Sequence, residues 1–341
     1  MNAVAATPWY GSDEAGLVCG YVFSPGGCGR SVASAEAGAW LEDVSSKEKG
    51  EFIWLHFNAA HVAAEKWLKA HLDLSDAFFE ALREGSRSTQ IERADETLVA
   101  VLNDVIYDFA FAESSQVSTL WLSVDERRLI SVRRQPLRSL DRLRVAVKAG
   151  EPFPSPLALL VHLLGDQAEV LTQIVRQTTA KVDSIEDTFL SGRLELKRAG
   201  LGSLRRDLVR LQRLLAPEPA ALFRLLNRPP PWMAEQDTLD LRQSTEEFSV
   251  AIRDMAGLQE RIKLLQEEIA TRISEQTNRS VFVLTAVTVL ALPINMIAGL
   301  FGMNVGGIPL AQHSHGFWIV VALVMAFTSL AGWIAFRKRV G

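Results

Sequence analysis

Hydrophobic and polar positions follow three different rhythms along the chain. The first runs are short, apolar and rich in β-formers: Gly16-Leu-Val-Cys-Gly-Tyr-Val-Phe23, Phe52-Ile-Trp-Leu-His-Phe57, Thr97–Val105, Thr119–Ser123 and Leu129–Val132. Each has the length and composition of a strand. Between them Ala59–His71 and Ser75–Leu82 carry helical spacing, with Ser75 standing where an N-cap belongs. Leu137–Val147 follows Pro136 as a further helix. Strands and helices in this order predict a layered α/β domain over residues 1–152.

The second rhythm is almost purely helical. Glu151-Pro-Phe-Pro-Ser-Pro156 excludes helix and marks the boundary. Leu157–Leu190 is one helix by periodicity, Gly192 and the pair Gly200/Gly202 mark a turn and a weak point, and Leu204–Leu215 continues as helix before Pro217 and Pro219. After Pro229-Pro-Pro231, a long helix is predicted from about residue 235 to 301. At about 1.5 Å per residue it would be roughly 100 Å long. Phe248, Ile252, Met255, Ile262, Leu265, Ile269 and Ile273 recur at three- and four-residue steps, a coiled-coil-like seam. A single helix of this length needs partners, which predicts a stalk in an oligomer.

The third rhythm is an absence of charge. From Ser280 to Phe336 there are 57 residues without Asp, Glu, Lys or Arg. Val281–Phe301 and Phe317–Phe336 are each apolar and long enough to cross a hydrocarbon core, which takes roughly 20 helical residues. The Gly-rich segment 302–316, with Pro309, joins them as a loop. Two C-terminal transmembrane helices follow, and the cytoplasmic helical part then covers 153–280, with 337–341 as a basic tail. The loop holds no basic residue, whereas Arg272 and Arg279 precede the first span and Arg337, Lys338 and Arg339 follow the second. Positive flanks stay in the cytoplasm, so both termini are expected there. Met1–Tyr10 shows neither a charged n-region nor an apolar h-region, so no cleavable signal peptide is expected.

Composition alone conceals this division. The whole chain, at net charge −4 with 22% charged residues, resembles a soluble protein. Residues 1–279 hold 33 basic and 40 acidic residues, and the tail adds three cations. The balance argues against a nucleic-acid binder. The basic stretch Arg193, Lys197, Arg198, Arg205, Arg206, Arg210 and Arg213 reads more simply as a solvated face pairing with acidic neighbours. Two cysteines, Cys19 and Cys28, cannot staple a chain of this size. Pro25-Gly-Gly-Cys-Gly29 lacks the Lys and Ser/Thr of a phosphate loop and reads as a surface turn. With no nucleophile elbow and no HExxH, neither an enzyme nor a prosthetic group is expected. His56, His61, His71 and His162 are scattered and, like the two cysteines, are assigned to core or surface.

The candidate chemistry lies on one face of the long helix. Alternating steps of three and four pass through Asn278, Val281, Thr285, Thr288, Leu292, Asn295, Gly299 and Gly302, most of them polar or small. Followed back by sevens, the face reaches Glu267 and Glu260, placing carboxylates at the cytoplasmic mouth. Two readings fit. Small and polar residues let helices approach and bond across; alternatively, a symmetric ring of such helices encloses a pore. Two spans cannot enclose a pathway in a monomer, so the pore reading requires an oligomer.

Phe301-Gly302-Met303-Asn304 ends the first span of a chain with two final spans, a short loop and a basic tail. In that context the chain resembles the CorA-type divalent metal-ion transporter superfamily. Asn304-Val-Gly-Gly-Ile-Pro309, Phe52-Ile-Trp-Leu-His56 and Pro231-Trp-Met233 make it most similar to the ZntB zinc-transporter branch. The loop Val305–Gly316 lacks the acids typical of magnesium members. The resemblance implies a CorA-like homopentamer in the bacterial inner membrane, with the first spans around a central pore. Gly302, Met303 and Asn304 would form the outer filter. Asn278, Val281, Leu284, Thr288, Leu292, Asn295 and Gly299 would line or constrict the pore, and Arg337, Lys338 and Arg339 would form a basic collar.

A ring of five Asn304 amides can hold a hydrated ion through its water shell. Such outer-sphere binding has no preference for zinc over magnesium, so zinc is implied by the branch alone. His313 and His315 are the nearest soft donors; as His-Ser-His on a loop they could capture zinc, although two solvated histidines is the simpler reading. Proton coupling is compatible with the branch, but no carboxylate lies in the spans to relay protons. The alternatives are a magnesium or cobalt transporter of the same superfamily and, in another class, a membrane-anchored coiled-coil signalling or structural protein.

Overall fold

The computed structural model describes residues 11–25, 27–43, 50–85, 89–94, 96–106, 116–191, 198–303, 309 and 313–337. Two compact units divide the chain, Met1–Leu265 and Gln266–Gly341. In the first, the apolar runs become strands β1 (Leu17–Phe23), β3 (Phe52–Asn58), β5 (Thr97–Val105), β6 (Val117–Val124) and β7 (Arg128–Arg133). Two short polar strands, β2 (Gly29–Ser31) and β4 (Gln90–Ala94), form the edges of a sheet ordered β2-β1-β3-β7-β6-β5-β4. Only β3 and β7 pair in parallel, from Ile53 opposite Arg128 to Asn58 opposite Arg133.

Both faces of this sheet are covered. Ile53, Leu55 and Phe57 of β3 join Val99 and Val101 of β5 under helices α2 (Val62–His71) and α3 (Asp76–Glu84). Their alternates Phe52, Trp54, Leu98, Ala100 and Leu102 face α4 (Arg138–Lys148), α5 (Pro156–Leu190) and α7 (Pro217–Leu226). Successive strand residues point to opposite faces, and neither face meets water, so the strands read as continuous apolar runs. Helix α1 (Ser34–Glu42) adds Ala37 to the first of these cores. Ser75 caps α3 by accepting the Phe78 N–H at 3.4 Å, and Gly85, with φ of 62°, ends it in the left-handed region.

Four punctuation residues act differently from the expectation. Pro156 and Pro217 start helices instead of preventing them, because a proline in the first turn loses no hydrogen bond. Ser155 caps α5, accepting the Ala158 N–H at 3.0 Å. Gly200 and Gly202 lie inside α6 (Arg198–Leu215), which starts six residues earlier than the expected Leu204. Each glycine costs about 1 kcal/mol in a helix, and the buried line Leu201, Leu208, Leu211 and Leu215 offsets this. Arg206, Arg210 and Arg213 are exposed on α6, as a solvated face requires. Arg193 and Lys197 lie outside the described residues.

Helix α8 (Glu235–Phe301) runs through 67 residues, and α9 (Gly316–Arg337) through 22. The apolar seam of α8 is buried at Leu241, Phe248, Met255, Ile262, Leu265 and Ile269. Within the first unit, α8 lies beside α5 of the same chain. Arg261 binds Asp183 at 2.7 Å and also Glu186, and the Ser155 hydroxyl donates to Asp237 at 3.2 Å. The two helices therefore run in the same direction. The partner demanded by the seam is supplied in this stretch by the protomer itself, and no second chain is needed for it. Phe248 is wholly buried, so Phe248→Ala should destabilise the fold by about 3–5 kcal/mol. Thermal melting of the detergent-solubilised protein checks this; loss of oligomer without loss of melting temperature would return the seam to an inter-chain role.

Candidate functional site

Along α8 the predicted stripe occupies a side that stays exposed among the described residues. Val281, Leu284 and Leu292 are 55%, 69% and 66% exposed, and Asn278, Thr285, Thr288, Asn295 and Gly299 are exposed with them. The half-buried positions are Ala286, Leu290, Ala291, Pro293, Ile294 and Ile297, and of these Ile294 and Ile297 line a groove of about 940 Å³ shared with Phe317, Val320 and Val324 of α9. The polar stripe and the α9-facing side are thus different sides of one helix. Glu260 and Glu267 are exposed too, Glu260 accepting from Lys263 at 3.1 Å. Leu264, 57% exposed, sits between them. Sequence reasoning passed over it, although the same alternating step continued through Thr271 and Ser274 would have found it.

The hydroxyls on this face are already oriented. Thr285 and Thr288 donate to the carbonyls of Val281 and Leu284, both at 2.8 Å. Their protons are spent within the helix, so the oxygen lone pairs remain as acceptors for the water shell of a cation. Pro293 has no N–H to offer the Val289 carbonyl, which leaves one backbone acceptor of the helix without its usual donor. Gly302 closes the helix, its N–H bonding the Ala298 carbonyl at 2.9 Å, and Met303 is 52% exposed. Asn304, Lys338 and Arg339 lie outside the described residues; Arg337 is the last residue of α9. Helix α8 is long and apolar enough to cross a membrane, and Gly316–Leu330 of α9 forms a shorter apolar stretch.

Residues 49–338 match the family model described as CorA-like Mg2+ transporter protein. The divalent cation transporter CmaX of Pseudomonas aeruginosa is 29% identical over 332 residues, covering 96% of this chain and 97% of its own. The zinc transport protein ZntB of Pectobacterium atrosepticum is 24% identical over 298 residues, covering 87% of this chain and 90% of its own. Among solved structures, that of the full-length CmaX protein superposes with a TM-score of 0.81 at 27% identity, over 96% of this chain and 99% of that one. The chain belongs to the CorA-like Mg2+ transporter protein family.

The residues assigned to core or surface take structural roles. His61 caps α2 by accepting the Ala63 N–H, His71 stacks on Trp67 with centroids 4.4 Å apart, and the Cys28 thiol donates to the Gly150 carbonyl. His162 lies between Glu151 and Asp166, at 3.5 and 3.4 Å. His56 is locked in the core: Arg133 Nε donates to its Nε2 at 2.7 Å, so Nδ1 carries the proton and donates to Ser131 Oγ at 2.9 Å. The same hydroxyl accepts from Trp54 Nε1 and donates to the Leu55 carbonyl. Burial first, and the Arg133 charge second, hold His56 well below the usual histidine range. Burial pushes the Cys19 thiol up to about 12. No group of three or more His, Cys, Asp or Glu among the described residues is placed to hold a metal.

Two buried carboxylates complete the core electrostatics. Glu218 is pushed well above the usual range by burial and then by the charge of Asp104. Asp104 accepts the Ser139 N–H at 3.0 Å and the Ser139 hydroxyl at 2.8 Å, tying β5 to the start of α4. Burial outweighs these bonds and raises Asp104 from 3.8 to about 6. A carboxyl whose folded pKa lies above its unfolded value stabilises fully below the unfolded pKa and loses that contribution as pH rises through the folded one. Stability should therefore fall as pH climbs from about 4 through 6, by on the order of 3 kcal/mol from this group. Asp104→Asn should flatten that slope, even though it disturbs one bond to Ser139. Melting temperatures across this range decide; an unchanged slope removes Asp104 as its source.

Proposed function

We propose that the protein moves divalent metal cations, zinc among them, across a membrane through a central pore walled by α8 of five copies. One observation carries this reading: the polar stripe of α8 is exposed along its length and faces away from α9. Symmetry turns each stripe residue into a ring of donors. Asn304, with Gly302 and Met303, forms the outer filter. Asn295 and Thr288 offer neutral oxygens deeper in, Val281, Leu284 and Leu292 narrow the path, and Gly299 widens it. Asn278 and the carboxylates Glu267 and Glu260 meet the ion at the inner mouth.

The positive flanks support an orientation with both chain ends on the cytoplasmic face of the bacterial inner membrane. There Arg337, Lys338 and Arg339 ring the mouth as a collar. Outer-sphere capture by amides leaves the ion hydrated, so the pathway need not strip a water shell, which magnesium in particular releases reluctantly. The name of the ZntB relative supports zinc, and the acid-free loop is consistent with it. The family description supports magnesium as the second reading, and competition between the two ions in one flux assay separates them.

Asn304→Ala removes a charge-assisted contact worth about 1.5–3 kcal/mol, so zinc flux into proteoliposomes should fall by roughly ten-fold or more. Unchanged flux would sink the filter. Glu267→Gln should lower flux several-fold at low ionic strength and much less at high, because an exposed carboxylate ring is screened by salt. An effect independent of salt, or none, would return Glu267 to an ordinary solvated face. A protein that carries no ion at all, and whose Asn295→Leu variant changes assembly only, would be a membrane-anchored scaffold.

A further inference from the structure

Oxygen donors along α8 explain passage but not choice, since neutral oxygens rank divalent ions poorly. The second unit has only two nitrogen donors suited to zinc. His313 and His315 are the sole histidines from 266 to 341, and that stretch has no cysteine. Both are exposed, immediately before α9 begins at Gly316. Their ring centroids lie 6.3 Å apart with the planes inclined at 61°. Two imidazoles on one tetrahedral zinc, with Zn–N of about 2.0–2.1 Å, place ring centres roughly 5 Å apart. A small side-chain rotation closes the difference.

Neighbouring atoms prepare the ligands. Ser314 Oγ lies 3.0 Å from His315 Nδ1. With the hydroxyl accepting, Nδ1 keeps its proton and Nε2 presents a lone pair, the arrangement by which a second partner orients a metal-binding imidazole. His313 Nδ1 accepts the His315 backbone N–H at 3.4 Å. That bond is long, so shifting the proton to Nδ1 and freeing Nε2 for a metal costs little. His313 also lines the α8–α9 groove together with Phe301 and Gly302. An ion held by the pair is therefore close to the end of α8, where the filter tripeptide starts.

We propose that His313 and His315 form a two-imidazole capture site for zinc and chemically similar ions such as cobalt and nickel, with water completing the coordination. The inference rests on the transport reading above and adds to it the choice of ion. Magnesium prefers oxygen and keeps its waters, so the pair gives it no hold. Two protein ligands make a weak, quickly released site, which a pathway needs and a structural zinc centre does not.

The test uses full-length protein without a polyhistidine tag, in lipid nanodiscs. Titration with cobalt alone should produce the visible bands of nitrogen ligation, and calorimetry should show zinc binding that excess magnesium does not displace. The double variant His313→Asn, His315→Asn should lose both signals while keeping its melting temperature and oligomeric state. In proteoliposomes that variant should lose the preference for zinc over magnesium, with magnesium flux unchanged. Bands or a zinc isotherm that survive the double change overturn the proposal, as does displacement by magnesium. Histidine-dependent binding with an unaltered zinc-to-magnesium flux ratio overturns the capture role. Should the wild type carry no ion while histidine-dependent zinc binding persists, the transport reading fails alone and the site stands.

Discussion

Everything in this structure depends on how α8 divides its circumference. One side must bury Leu241, Phe248, Met255, Ile262 and Leu265 against the protomer's own helices. Another, further along, packs Ile294 and Ile297 toward α9. What is left, the row through Glu260, Glu267, Asn278, Thr288 and Asn295, is exposed. A helix repeats its faces every 3.6 residues whatever surrounds it. A row of polar residues stays on one side of the helix only where its steps keep close to that period, and a shift of one residue turns a position by about 100°.

The first unit is built to hold that seam still. Its sheet is sandwiched between two cores, and the polar groups around Ser131 and Asp104 are matched by directional bonds. Ser131 alone joins Trp54, His56 and Leu55, and His56 in turn accepts from Arg133. Satisfied buried networks of this kind specify one arrangement of the core, because any other leaves groups unpaired. Asp104 fastens β5 to α4 in the same way. Strongly shifted protonation equilibria often mark reactive sites. Here burial is the first cause of every shift, for His56, Asp104 and Glu218 in the core of the first unit and for the half-buried Cys19.

Legibility in the sequence followed the strength of the local pattern. The long helix was readable because no glycine or proline interrupts it between Leu258 and Leu292 and the apolar run continues to Phe301, and the internal strands were readable because both faces are apolar. Edge strands β2 and β4 were not, since an edge is short and polar to resist pairing with other chains. Helix α7 was hidden by its own prolines, which break helices in most positions but open one here. The stripe on α8 was visible as a period, yet its exposure was not: whether a polar face meets a neighbour or nothing is a tertiary fact. The partner of the seam was equally invisible, because α5 and α8 are brought together by contacts such as Arg261 with Asp183, some 78 residues apart. For Asn304, Lys338 and Arg339 the sequence remains the sole source, as they lie outside the described residues.

The charge-free run from Ser280 to Phe336 is the remaining constraint, and the proposed five-fold pore gives it a reason. In the proposed ring of five, any acid in this part of the row would appear five times. Neighbouring carboxylates about 8 Å apart would repel by roughly 2 kcal/mol per pair at an effective dielectric of about 20, and each would also need desolvating in the membrane. Neutral amide and hydroxyl oxygens avoid both terms and still present aligned acceptors, the threonine hydroxyls having given their protons to the helix. A path built this way accepts hydrated ions generally and holds none tightly. Discrimination among ions then has to come from donors of another kind, outside the hydrocarbon region, where a nitrogen ligand can touch a partly stripped ion without burying a charge. The loop before α9 is the one place in the second unit where the sequence supplies such donors.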